Sequence, residues 1–100
     1  MMPVFLVELH TRSFAEIFKR AGSNQGVVLG AYNTLEKAKT QIVRIINSEG
    51  NGAYVERDVS YCSRQIVTTF EFLSKYGGGS LYTLCVSSYE VNKPIEGLQS

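Results

Sequence analysis

Apolar residues recur along this chain with two different periods, and the places where each period holds set the expected elements. Residues 3–10, Pro-Val-Phe-Leu-Val-Glu-Leu-His, are rich in β-branched and aromatic types and open on four apolar positions in a row, which suits a strand covered on both faces. Ser13 and Glu16 then stand at capping-box spacing, and Phe14, Ile17, Phe18 and Ala21 follow at helical intervals. A short helix over 14–21 is expected, stopped at Gly22. After the turn residues Ser23, Asn24, Gln25 and Gly26, residues 26–32 read as a second strand. Asn33 or Thr34 caps the main helix, predicted over 35–47: Leu35, Ala38, Ile42, Ile45 and Ile46 share one face, Lys37, Thr40, Gln41, Arg44 and Asn47 lie mostly on the other, and Gly50 ends it.

Periodicity is lost from Glu49 to Ser63, where Asn51-Gly52 marks a turn, so this stretch is a long connection or a short edge strand near Tyr54 and Val55. Residues 66–73 and 81–91 are two β-rich runs around Gly77-Gly78-Gly79-Ser80, and they should form a hairpin. The fold class expected is therefore α+β: a mainly antiparallel four-stranded sheet with the main helix on one face. Strand order is not readable, although an antiparallel pairing of the first two strands is preferred to a parallel crossover. Residues 1–93 read as one domain and 94–100, after Pro94, as a frayed tail.

Side chains alternate between the faces of a strand, so a sheet covered on one side shows one apolar and one polar set. Here both sets are apolar in part. Phe5, Val7 and Leu9 oppose Val4 and Leu6; Ile66, Phe70 and Phe72 oppose Val67 and Leu73; Leu81, Thr83, Cys85 and Tyr89 oppose Tyr82, Leu84 and Val86. One main helix and one short helix leave apolar surface over.

Composition narrows what such a surface can meet. Ten Lys or Arg against nine Asp or Glu give a net charge of +1, too even for a polyanion-binding chain. Apolar runs such as 4–7 and 27–29 are far shorter than the roughly 18 residues of a membrane helix, and no signal peptide is visible after Met1, so a cytoplasmic or other intracellular location is expected. Cys62 and Cys85 are too few for a disulfide framework and read as reduced thiols, a single bridge between them being the alternative.

The order strand, turn, Gly30-Ala31-Tyr32-Asn33-Thr34-Leu35-Glu36-Lys37-Ala38, helix and terminal hairpin resembles small uncharacterised α+β domains encoded in fungal and phage genomes. The likeness rests on the opening strand and the Gly-x-Tyr-x-Thr-Leu-x-x-Ala junction. It implies architecture only, because no activity is known for those domains.

Candidate chemistry is sparse. None of the phosphate-binding, dinucleotide-binding, nucleophile-elbow or zinc-protease motifs occurs, and one His with two separated Cys has no metal-ligand spacing, so neither cofactor nor metal is expected. His10 titrates near neutrality and shares a strand face with Glu8; Cys62, beside Arg64, is a conceivable nucleophile for that pair. A surface His beside a carboxylate and an ordinary loop thiol are the commoner readings, and the residues favour a non-enzyme. An RNA surface would use Arg12, Lys19 and Arg20 with Phe70, Tyr82 and Tyr89 as stacking groups, but the pattern of an RNA-binding sheet is missing. The leading expectation is a small protein-interaction module that forms a homodimer, or docks another protein, through a sheet face or edge strand, with Val4, Leu6, Phe14, Phe18, Tyr82, Leu84 and Val86 as its interface. The alternatives are a small dimeric enzyme or ligand-binding protein with a pocket between sheet and helices, and RNA binding.

Overall fold

A computed structural model describes residues 2–19, 26–60, 65–76 and 79–91, without the side chains of Phe14, Phe18, Lys19 and Val91. The elements run β1 (Met2–His10), α1 (Phe14–Lys19), β2 (Val27–Tyr32), α2 (Leu35–Glu49), β3 (Val55–Asp58), β4 (Ile66–Leu73) and β5 (Leu81–Val91). The fold is α+β with an antiparallel sheet and two helices, but that sheet has five strands rather than four, in the order β2-β1-β5-β4-β3. The added strand is β3, and it starts at Val55, where a short edge strand is the alternative reading of the sequence. Its residues, Val-Glu-Arg-Asp, carry charge at three of four positions, which only an edge strand tolerates and which hides it from any search for apolar alternation.

Both helix starts follow from local chemistry. Ser13 Oγ accepts from the Glu16 N–H at 3.2 Å while the Glu16 carboxylate accepts from the Ser13 N–H at 3.0 Å, the reciprocal bonds of a capping box. Helix α1 is described as far as Lys19; the rest of the expected 14–21 lies outside the described residues. Thr34, not Asn33, caps α2, its Oγ1 accepting from the Lys37 N–H at 3.1 Å. The helix ends two residues later than expected, at Glu49, with the Gly50 N–H donating to the Ile46 carbonyl. Gly50 is extended there, and the need for glycine is steric: a Cβ would stand 2.9 Å from the Leu73 carbonyl and 2.8 Å from the Phe72 ring.

At 1.5 Å per residue α2 is about 22 Å long. That length carries it diagonally over one sheet face from β2 to the end of β4, where Gly50 bridges Ser74 and the Lys75 N–H donates to the Glu49 carbonyl. Beneath it Ala38, Ile42 and Ile46 pack with Val7, Phe70, Phe72, Leu84 and Val86 into the main core, flanked by Phe5, Leu9, Tyr32 and Leu35. Tyr32 lies back across Gly30, its hydroxyl only 2.6 Å from where a Cβ at residue 30 would stand.

The β4–β5 hairpin has the expected strands, with Leu73 opposite Leu81, the Ser74 N–H donating to the Ser80 carbonyl and Gly79 at φ +80°; Gly77 and Gly78 lie outside the described residues. Among the described residues no helix is long and apolar enough to cross a membrane.

Ile42→Ala should cost roughly 2–5 kcal/mol of unfolding free energy by opening a cavity under α2. Arg44→Ala on the outer face should shift it by no more than about 0.5 kcal/mol. Urea denaturation followed by far-UV circular dichroism measures both.

Candidate functional site

The expected acid–base pair lies on the sheet face turned away from α2. Glu8 is opposite Cys85 and His10 opposite Thr83 in the β1–β5 ladder, so all four side chains share that face. His10 Nε2 stands 3.4 Å from Glu8 Oε1, and the imidazole is only 5% exposed. Two features bury it. Thr83 Oγ1 donates to the Arg12 carbonyl at 2.6 Å, which folds the turn into α1 back over this face, and Gly26 passes so close that a Cβ there would meet His10 Nε2 at 2.6 Å and the Leu9 carbonyl at 2.7 Å.

Around the pair the packing is dense and largely polar: Thr69, Thr83 and Cys85 are fully buried and Ser87 nearly so, with Ile17 and Val59 buried apart from the α2-side core. Burial, and secondarily the charge of Glu8, pushes the Cys85 thiol up to about 12, so at neutral pH it stays protonated and is no nucleophile. Cys62, the nucleophile suggested for His10 and Glu8, lies outside the described residues. The structure thus brings His10 and Glu8 together but in a packed layer rather than an open cleft. Thr69 Oγ1 is buried in this layer with no hydrogen-bond partner among the described residues.

The expected interface residues do not form one surface. Val7 stands opposite Val86 and Leu6 opposite Ser87, so Val4 and Leu6 face away from α2 while Tyr82, Leu84 and Val86 face towards it. Leu84 and Val86 are fully buried beneath the helix and present nothing to a partner. Val4, Leu6 and Tyr82 are half-buried, and the side chains of Phe14 and Phe18 lie outside the described residues. The stacking set suggested for RNA is broken up for the same reason: Phe70 is 1% exposed in the core, and Tyr82 and Tyr89 stand on opposite faces.

Exposed apolar surface collects instead at two places: the outermost strand β2, where Val27, Val28 and Leu29 are 64, 54 and 42% exposed, and the far end of the sheet, where Tyr54, Val55, Leu73 and Leu81 are 41, 51, 50 and 37% exposed. Among the described residues β2 pairs only with β1. Leu29 has no partner across that ladder, since Val7 faces Gly30 and Glu8 faces Val28; this bulge bends the strand without adding charge. The signal in the sequence is the uncharged apolar run 27–29.

The opposite edge differs. In β3, Glu56 pairs with Lys39 of α2 at 2.9 Å, Arg57 pairs with Glu71 of β4, and Asp58 accepts from the Ser60 N–H and hydroxyl, which hold its carboxyl below the usual range.

Two clefts open among the described residues. One of about 280 Å³ lies where β3 leaves β4, lined by Tyr54, Val55, Leu73 and Leu81 among others. The other, about 200 Å³, opens between the C-terminal end of α2 and the sheet, with Leu9 and Ile45 beside the aromatic rings of Phe72, Tyr76 and Tyr82 and the carboxylate of Glu49. Among the described residues no group of three or more His, Cys, Asp or Glu is placed to hold a metal ion.

No family model, curated protein or solved structure matches the chain.

Thr69→Val should raise stability by about 1 kcal/mol, since it deletes an unsatisfied buried hydroxyl, whereas Thr83→Val should lower it by a similar amount by stranding the Arg12 carbonyl. Thermal melts of the two variants should move in opposite directions. Cys85 supplies a test in pH. Its folded value of about 12 lies above its ordinary 9.0, so the unfolded chain sheds a proton that the folded chain keeps. The stability from this group is fully present below about pH 9 and falls as pH rises towards 12. Urea midpoints of the wild type should therefore drop more steeply over that window than those of Cys85→Ala.

Proposed function

We propose that this protein is a small interaction module that self-associates by pairing β2 with β2 of a second copy. The observation that carries this reading is the contrast between the two sheet edges. An unpaired strand exposes a row of N–H and C=O groups, and monomeric proteins blunt such edges with charge, proline or short length. β3 has four residues and three charges, tied to its neighbours by ion pairs. β2, Val-Val-Leu-Gly-Ala-Tyr, has no charge at all and holds three aliphatic side chains in water.

An antiparallel β2–β2 pair would satisfy that edge in both copies and cover Val27, Val28 and Leu29. Since the guarded β3 edges then face outward, a twofold pair closes and does not grow into a fibre. The small size of the chain favours the same outcome, because a 100-residue domain buries a modest fraction of its surface.

Light scattering coupled to size exclusion at micromolar concentration should give twice 11.1 kDa for the wild type. Val28→Lys, placed on an exposed position, should give 11.1 kDa with an unchanged circular dichroism spectrum, and Val55→Lys on the guarded edge should remain paired. A wild type that stays at the monomer mass up to high concentration would sink the proposal.

A further inference from the structure

The cleft at the end of α2 has a chemistry of its own, separate from the β2 edge. We infer that it is a binding site for a quaternary ammonium group. Three aromatic rings line it: Phe72, 4% exposed at its floor, packs against Tyr82 with centroids 5.8 Å apart at a 30° tilt, while Tyr82 is half-buried and Tyr76 58% exposed, so these two offer the accessible faces. Aromatic faces carry negative charge density and attract cations, most strongly cations that shed water easily. A methylated ammonium spreads its charge over methyl groups and meets Leu9 and Ile45 without an unmet hydrogen bond. A volume of about 200 Å³ suits such a head group and is below the usual size of a pocket for a whole drug-sized ligand.

The electrostatics point the same way. A helix C-terminus is electronegative and is ordinarily complemented by Lys, Arg or His in its last turn. The last turn of α2 has no basic residue, and it ends on Glu49, whose carboxylate accepts from the neighbouring Ser48 hydroxyl at 3.1 Å and adds negative charge beside the rings. One of these rings already holds a cation: Lys75 Nζ lies over the Tyr76 ring, 5.3 Å from the centroid. That internal ammonium competes with an incoming one.

The test titrates choline into the full-length protein, followed by amide and side-chain NMR shifts. Choline should give saturable shifts at Ser74, Tyr76 and Tyr82 with a dissociation constant on the order of 1 mM, and its neutral isostere, with carbon in place of nitrogen, should give none. Glu49→Gln should weaken binding severalfold, and Lys75→Ala should tighten it. A peptide carrying trimethyl-lysine, titrated in parallel, separates the sources: tighter binding than choline assigns a modified side chain, equal or weaker binding a free amine. The inference is overturned if choline gives no saturable shift, if the neutral isostere binds equally well, or if Glu49→Gln leaves the affinity unchanged. The monomeric Val28→Lys variant should bind choline as the wild type does, so this result stands or falls apart from the β2 pairing.

Discussion

The rest of the molecule depends on the pairing of β5 with β1. β5 is the longest strand, and it lies in the middle of the sheet, bonded to β1 on one side and β4 on the other. Each residue from Met2 to His10 has a partner between Thr83 and Val91, so the two ends of the described chain meet in one unbroken ladder. The β1–β2 pair and the β3–β4–β5 meander are local in sequence; this ladder alone joins them within the sheet. A contact with that sequence separation costs loop entropy before it returns any stability. It also decides which side chains face α2, since one step of slip would carry Val86 and Leu84 out from under the helix and bring Cys85 and Ser87 beneath it.

That register divides the sheet into two unlike faces. Beneath α2 the core is aliphatic and aromatic, and its stability comes from removing Ile42, Ile46, Phe70 and Leu84 from water. The other face is equally closed at its centre but filled with Thr69, Thr83, Cys85, Ser87 and His10. Burying polar groups is tolerable where each finds a partner, as Thr83 does in the Arg12 carbonyl, and costly where one does not, as with Thr69. This second layer adds less per residue than the first, and what it gains is a fixed path for the turn between β1 and α1.

Much of this was legible in the residues. The capping box of Ser13 and Glu16, the stripe Ala38, Ile42 and Ile46, the stop at Gly50 and the two terminal strands each depend on neighbours within a few positions, and the structure repeats them. What depended on long-range pairing was not. β3 shows in the sequence only as one of two readings, a short edge strand near Val55, because its charges are answered by Lys39 and Glu71, which are distant in sequence. The parity of β1 was plain, and so was that of β5, but nothing local says that Val7 meets Val86 rather than Ser87. An interface built from Val4, Leu6, Leu84 and Val86 therefore mixed two faces. The nearness of Glu8 and His10 could be read from their spacing, whereas the burial of His10 rests on Gly26 and on the bond from Thr83 to Arg12.

The unlike edges follow from the same topology. α2 follows β2 and precedes β3 in the chain, and its Lys39 reaches across to pair with Glu56 of β3. β3 is thereby built into a charged seam with α2 and β4. β2 has no such neighbour on its outer side among the described residues, and its own side chains supply no charge, so water is left to satisfy its backbone while its aliphatic groups stay wet. A strand in that state gains both hydrogen bonds and apolar burial from a single partner, and an identical strand running antiparallel presents the same unsatisfied groups in the complementary order.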